Sequence, residues 1–386
     1  MKNVVCADTF RKKACVCAHI FYLVSLLSMF SLIKFGCSMQ IVLVKFNTVS
    51  GSTLNLNPVI DMDQVVIGVD VGATAAKLGV VNRSGSILWQ TEFSTQTDYR
   101  TFFSRIGEAI QKIQRTVLPK AEILGIGLGA PASNPRLGTV QAVNLNWGEC
   151  TNFRDALAQH IGLPVILDND ANVTAIGEMY YGAAKGLRDF IMVTLGTGLG
   201  SGFVVNGELV YGSDGLAGEL GHICVEMNGR DCACGRQGCL ETYVSASGLK
   251  RTVFELMARR RTESGLRDLS FTQMTARAIS EAAETGDALA LEAFEYTGKI
   301  LGLKLADAVA HTSPEAIILF GGMANAGDFI LEPARRYLKQ FTLHIYKNDI
   351  PVILSALPGS DAAVLGAAAL AWKKLESSAE VVSQNA

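Results

Sequence analysis

The sequence predicts an α/β protein built from two like halves. From residue 62 onward, short apolar runs of strand length alternate with longer stretches of helical period. The opening of that region, a strand, a Gly/Thr turn, a strand, a tight turn and a strand, recurs near residue 190. The paired segments G-V-V-N at 79–82 and G-F-V-V-N at 202–206 mark corresponding points of the two copies. With 386 residues, 49% hydrophobic and 18% charged, the chain is long and apolar enough for two well-cored domains.

The elements follow in order. An apolar strand at 65–70 leads into the turn Gly72-Ala73-Thr74, a second strand at 77–82, the turn Ser84-Gly85 and a third strand at 87–91. A helix at 99–117, a strand at 123–129, a helix at 152–160, a strand at 165–168 and a helix at 171–181 complete the first half. Three strands before the first helix exclude a dinucleotide-binding unit, which needs a helix directly after its first strand. In the second half, a strand at 190–195 meets the turn 196–200, followed by strands at 202–206 and 208–211 joined by Asn206-Gly207. Leu291, Phe294, Leu301, Leu305 and Val309 recur at helical spacing and read as core or as a dimer face. A strand at 316–320 ends at Gly321-Gly322, and a helix at 361–375 carries Gly366 among alanines, suited to close packing. The expected division is a small domain at 62–178 completed by helix 361–375, and a large domain at 179–360; the polar tail after Ser377 reads as loose.

Residues 1–61 differ from the rest. Arg11, Lys12 and Lys13 precede an apolar run at 14–33, long enough for an anchor or signal segment. Yet His19 and three serines interrupt it, and Met62 stands just before the first strand of a complete domain. The preferred reading takes Met62 as the start and residues 1–61 as dispensable; a membrane tether and an exported form are the alternatives. No membrane contact is expected of the body that follows. A net charge of −2 and the lack of a basic run interleaved with aromatics argue against nucleic acid as a partner.

Three stretches carry chemistry. At 217–241, His222, Cys232, Cys234 and Cys239 offer one imidazole and three thiolates, the closed set of a structural tetrahedral zinc, with Gly235 and Gly238 to turn the backbone. Nine cysteines, three of them spaced for metal, indicate a reducing compartment and hence the cytoplasm, leaving Cys150 and Cys224 as buried small groups. The two Gly/Thr turns bring backbone N–H groups near each other without Cβ obstruction, as a phosphate cradle requires. Neither carries the lysine signature of a P-loop. The third stretch is D-N-D-A-N at 168–172, where a strand gives way to a helix. Asn169 or Asp170 caps that helix, while a carboxylate there can also serve as a general base; Asp168 and Asp170 remain tied.

Together these motifs resemble the ROK family of kinases and repressors within the actin-like sugar kinases. The resemblance covers about residues 62–374. It rests on D-V-G-A-T at 70–74, G-A-P at 129–131, N-L-N-W at 144–147, D-N-D-A-N, L-G-T-G-L-G-S-G at 195–202, A-G-E-L-G-H at 217–222, the cysteine cluster and G-C-L-E at 238–241. It implies a two-domain actin-like (ribonuclease H-like) fold with an interdomain cleft, and ATP-dependent phosphorylation of a hexose at its primary hydroxyl. Glucose comes first, with N-acetylglucosamine or N-acetylmannosamine as alternatives. By the same resemblance Asp170 is the base, and Gly129, Asn144, Asn169, Glu219, His222 and Glu241 bind the sugar. Asp70, Gly72, Thr74, Lys77, Gly196, Thr197, Gly198, Gly321 and Gly322 hold ATP, magnesium accompanies the nucleotide, the zinc is structural, and the chain forms a homo-oligomer, a dimer. The departures are Ala73 and Ala75, where the family has glycine and a polar residue, and Ala132, where a glycine usually follows the proline. A sugar-responsive repressor would carry an N-terminal helix-turn-helix, which residues 1–61 do not resemble, and a sugar-binding module without catalysis is the third reading.

Overall fold

The computed structural model describes residues 64–140, 145, 147, 152–346, 348–359 and 361–384. The expectations placed on residues 1–61, Asn144 and Cys150 lie outside the described residues. Among the described residues, no helix is long and apolar enough to cross a membrane.

Two sheets of five strands share one plan. The first contains β1 (Gln64–Val71), β2 (Ala75–Asn82), β3 (Ile87–Ser94), β4 (Glu122–Gly129) and β7 (Val165–Asp168), in the order β3-β2-β1-β4-β7. Strands β1, β2 and β3 pair antiparallel, whereas β4 and β7 join parallel to β1. The second contains β8 (Phe190–Leu195), β9 (Leu199–Val205), β10 (Glu208–Leu209), β11 (Ala316–Phe320) and β12 (Val352–Leu354), ordered β10-β9-β8-β11-β12. The strand orders and senses match position by position, so the recurrence read in the sequence is a duplicated fold. A two-residue pair, β5 (Ser133–Asn134) and β6 (Thr139–Val140), forms a separate hairpin.

The parallel strands read as near-continuous apolar runs because each sheet is covered on both faces. Val65, Ile67 and Val69 of β1 face a core shared with Phe102 and Ile106 of α1 (Tyr99–Lys112) and Phe153 of α2 (Phe153–Ile161). Val66 points the other way, into a cluster with Val364 and Trp372 of the C-terminal helix. The second sheet repeats this: Ile191, Val193 and Leu195 join the core formed with α4 (Ala246–Arg259), α5 (Ala276–Glu284), α6 (Ala288–Thr312) and α7 (Asp328–Phe341). Phe190 and Met192 face Ile176 of α3 (Asp170–Tyr181).

Helix α8 (Ala362–Gln384) lies against β1, β4 and α3, so the C-terminus closes the back of the first sheet. Glycines permit the contact. A Cβ at Gly68 or Gly127 would overlap the carbonyl oxygen of Val364 or Ala367, and at Gly366 it would meet the backbone of Val173. Four expectations change. The backbone of α8 is helical to Gln384, beyond the expected 375, so the tail after Ser377 is an extension of the helix. Strand β9 begins at Leu199 rather than 202, because Thr194–Gly200 and Leu195–Leu199 pairing draws the glycine-rich stretch into the ladder. Strand β10 is only two residues long, and Leu291 is 40% exposed while its four partners at helical spacing are buried.

Candidate active site

The site lies where the parallel strands of the first sheet end. Asp70 of β1 stands opposite Gly129 of β4, and Gly129 opposite Asp168 of β7, so three chain reversals converge on one edge. This is the end at which open α/β sheets bind ligands.

The two aspartates of D-N-D-A-N separate here. Asp168 is buried and fully engaged, taking hydrogen bonds from Asn169 N at 2.7 Å, Asn172 Nδ2 at 2.9 Å and the Tyr211 hydroxyl at 2.6 Å. Asn169 caps α3 through its Oδ1, which accepts from Ala171 N at 2.8 Å and leaves its amide nitrogen for a ligand. Asp170 takes only Ala171 N, at 2.9 Å, on Oδ1. Its other oxygen takes no hydrogen bond among the described residues, and the residue is exposed. Burial among the surrounding walls raises the Asp170 pKa. Burial, then the negative charge of Asp170, pushes Asp70 up to about 6 despite the opposing pull of Lys77. Two carboxylates thus share one electrostatic neighbourhood, which suits a base beside a cation-bearing ligand. Lys77 faces Asp70 across the β1–β2 ladder and is ion-paired with Asp361 at 2.6 Å.

Both Gly/Thr turns are tied back by their carbonyls. In the first, Thr95 donates its hydroxyl to Gly72 O and its N–H to Thr74 O, each at 3.0 Å, and Gln96 Nε2 reaches Ala73 O. In the second, Ala246 N donates to Gly196 O and Ser247 Oγ to Thr197 O, each at 2.9 Å. Among the described residues, the N–H groups of Ala73, Thr74, Thr197 and Gly198 have no internal acceptor. A row of free amides with fixed carbonyls is an anion cradle. The other two glycines of the second motif serve packing: a Cβ at Gly200 or Gly202 would crowd Ala171 or Ala175, so α3 and its Asp170 lie directly on β9. Gly321 has φ 106° and sits against Leu195 O, whereas Gly322 faces open space.

The fourth group is the cysteine cluster. The ligand atoms of His222, Cys232, Cys234 and Cys239 all lie within 4.8 Å of one another. A tetrahedral zinc with sulfur at about 2.3 Å and nitrogen at about 2.0 Å spaces its ligands about 3.5–3.8 Å apart. Cys234 Sγ and Cys239 Sγ are 3.7 Å apart, and Cys232 Sγ and His222 Nδ1 are 3.6 Å apart. The donors therefore fit a small tetrahedral cation. Burial pushes the Cys239 thiol up to about 12, so this sulfur needs a cation beside it to become a thiolate. Cys224, expected to be buried, is only half-buried; its thiol is free and its backbone pairs with that of Cys239, which makes it part of the cluster's frame.

The cluster holds the remaining sugar-site candidates. Glu219 N-terminally flanks the short turn Leu220–His222, and it is exposed. Ser201 of β9 accepts Leu220 N at 3.1 Å and donates to Gly218 O, fixing that loop on the sheet. Glu241 lies two residues after Cys239; its Oε2 accepts Leu199 N at 3.0 Å, and its Oε1 lies 3.7 Å from Cys232 Sγ. Asn144 lies outside the described residues, but Trp147 of the same motif is stacked on Phe153 at 5.0 Å and donates its indole N–H to Thr95 O.

The ROK family model matches residues 66–374. This chain belongs to the ROK family. It is 35% identical over 311 residues to a glucokinase of Halalkalibacterium halodurans, covering 79% of this chain and 94% of that protein. It is 30% identical over 319 residues to a putative xylose repressor of Caldicellulosiruptor, covering 79% of this chain and 77% of the repressor. The ROK family glucokinase of Streptomyces griseus, solved with glucose and AMPPNP, superposes with a TM-score of 0.66 at 33% identity, covering 80% of this chain and 99% of that one. The fold is accordingly the actin-like one of ROK kinases.

Within this ROK chain, the departures from the family pattern differ in cost. Ala73 lies outside the positive-φ region, so its methyl is tolerated. Ala132 has φ 50°, where glycine would be unstrained. Sequence reading assigned no role to Thr95, Ser201, Tyr211 and Ser247, since a single hydroxyl carries no spacing signal of its own. Only the run Val244-Ser245-Ala246-Ser247-Gly248, with its helix-capping serine, hinted at a purpose.

Proposed function

We propose that this ROK chain is an ATP-dependent hexose kinase that phosphorylates glucose at its primary hydroxyl. The observation that carries the reading is the pairing of an Asp170 oxygen left free with two amide cradles whose carbonyls are tied down. The relatives support glucose: the Halalkalibacterium protein is a glucokinase, and the Streptomyces griseus structure holds glucose and an ATP analogue.

Asn169, Glu219, His222 and Glu241 accept and donate to the sugar's ring of hydroxyls, with Gly129 and Asn144 on the opposite wall. The turns at 72–74 and 196–198 hold the phosphates, Gly321 and Gly322 the adenosine, and Lys77 adds positive charge beside Asp70. As the hydroxyl oxygen bonds to the γ-phosphorus, Asp170 takes its proton, and the electron pair of the cleaved P–O bond leaves with ADP. Positioning and charge neutralisation supply most of the acceleration. Asp70 suits a magnesium ion accompanying the nucleotide, which neutralises phosphate charge when bound. The tetrahedral cluster suits a structural zinc that presents Glu219 and Glu241, and its thiols suit the reducing cytoplasm.

A panel of hexoses and N-acetylhexosamines in a coupled ADP assay tests the proposal. Glucose is expected to give the highest kcat/KM. A higher value with N-acetylglucosamine or N-acetylmannosamine reassigns the substrate, and ADP release independent of every sugar rejects the kinase reading.

A further inference from the structure

The metal cluster and the second Gly/Thr turn are built on the same supports. One track runs along the chain: Cys239 is followed by Leu240 and Glu241, and the Glu241 carboxylate accepts Leu199 N at 3.0 Å. That carboxylate occupies the space a Cβ would need at Gly198. The other track runs through Arg230, which lies between the two limbs of the cluster with its side chain only 9% exposed. Arg230 binds Glu255 of α4 at 2.8 Å, Gly248 O at 3.1 Å and Thr242 O at 2.7 Å, fastening the cluster to the first turns of that helix. The N-terminus of α4 then holds the turn, through Ala246 N on Gly196 O and Ser247 Oγ on Thr197 O. Both tracks end on the same four residues, 196–199.

We propose that the metal in the Cys3His cluster sets affinity for the nucleotide's phosphates, because the cluster positions the second phosphate turn through Glu241 and the N-terminus of α4. Ser247 is on this account a positioning residue for the nucleotide. It contacts the turn's carbonyl and no cluster ligand. The inference rests on the reading of residues 196–198 as a phosphate turn.

The test is nucleotide binding by calorimetry without sugar, using the magnesium complex of a non-hydrolysable ATP analogue. Full-length protein with its cluster loaded is compared with protein depleted by a thiol-competing chelator, its tertiary fold checked by near-ultraviolet circular dichroism. Depletion is expected to weaken binding at least tenfold while the fold signal persists. Equal affinity with the cluster loaded and depleted overturns the proposal. Should depletion unfold the protein, Ser247→Ala decides: a three- to tenfold rise in the ATP KM, with glucose Kd and metal content unchanged, supports the proposal, and an unchanged ATP KM overturns it. Loaded parent protein that binds no nucleotide at all instead removes the phosphate-turn reading beneath it.

Discussion

Asp170 and Asp168 differ in what surrounds them more than in what they are. Three donors fill Asp168, whereas among the described residues Asp170 keeps one oxygen without a hydrogen bond. Asp170→Asn is expected to lower kcat by about 10² to 10⁴, the usual worth of a general base, with glucose Kd changed less than threefold by calorimetry. A variant retaining more than a few per cent of kcat points to another base. Asp70 supplies a pH signature. Its folded pKa of about 6, against an ordinary value of 3.8, means that the ionised carboxylate weakens the folded state. The penalty is complete above about pH 6, shrinks as pH falls, and vanishes below the unfolded value. Asp70→Asn is therefore expected to be more stable than the parent at pH 7, by about 1–2 kcal/mol once solvent screening of this partly exposed group is allowed for. The advantage should disappear near pH 4 in thermal melts, and a pH-independent difference would contradict the assignment. At Ala132, replacement by glycine relieves a φ of 50°, and a gain of about 1 kcal/mol in chemical denaturation is expected.

Among the elements, α8 and the cysteine cluster make the sharpest demands. A Cβ at Gly127 would overlap the Ala367 carbonyl oxygen, and the backbones of a strand and a helix cannot rotate away as a side chain can. Gly127→Ala is expected to cost about 3 kcal/mol or more, read as a lowered denaturant midpoint. Packing of this kind was legible in part: Gly366 among alanines announced a close contact, but its partner Val173 lies 193 positions earlier and left no mark in the local pattern. The donor set of the cluster was legible in full, since ligand spacing and glycines are local. Its attachment through Arg230 and Ser201 was not. Cys234→Ser should release the metal and weaken glucose binding together, as metal analysis and calorimetry would show; retained glucose affinity in the metal-free variant would separate the cluster from the sugar site.

Across the whole molecule, the halves meet through hydrogen bonds beside the site. Tyr211 reaches Asp168, Asn134 Nδ2 reaches Asp214 O at 2.8 Å, and Arg136 reaches Gly212 O at 2.8 Å. Helix α8 adds Lys373 on Glu208 at 2.8 Å. The ROK family match spans residues 66–374, all of it beyond residue 61. A chain beginning at Met62 is expected to fold with an unchanged melting temperature and the parent's kcat. Loss of either would give the first 61 residues a part in the kinase body. The sequence by itself determined the duplicated α/β plan, both glycine turns and the grouping of His222 with three cysteines, because each is written as periodicity or spacing within one stretch of chain; the order of its motifs carried the resemblance to the ROK family. Tertiary structure alone decided which aspartate is free, that Lys77 pairs with Asp361, and that Glu241 holds the turn at Leu199. Those outcomes depend on side chains from distant stretches competing for the same polar atoms, and only the folded chain brings the competitors together.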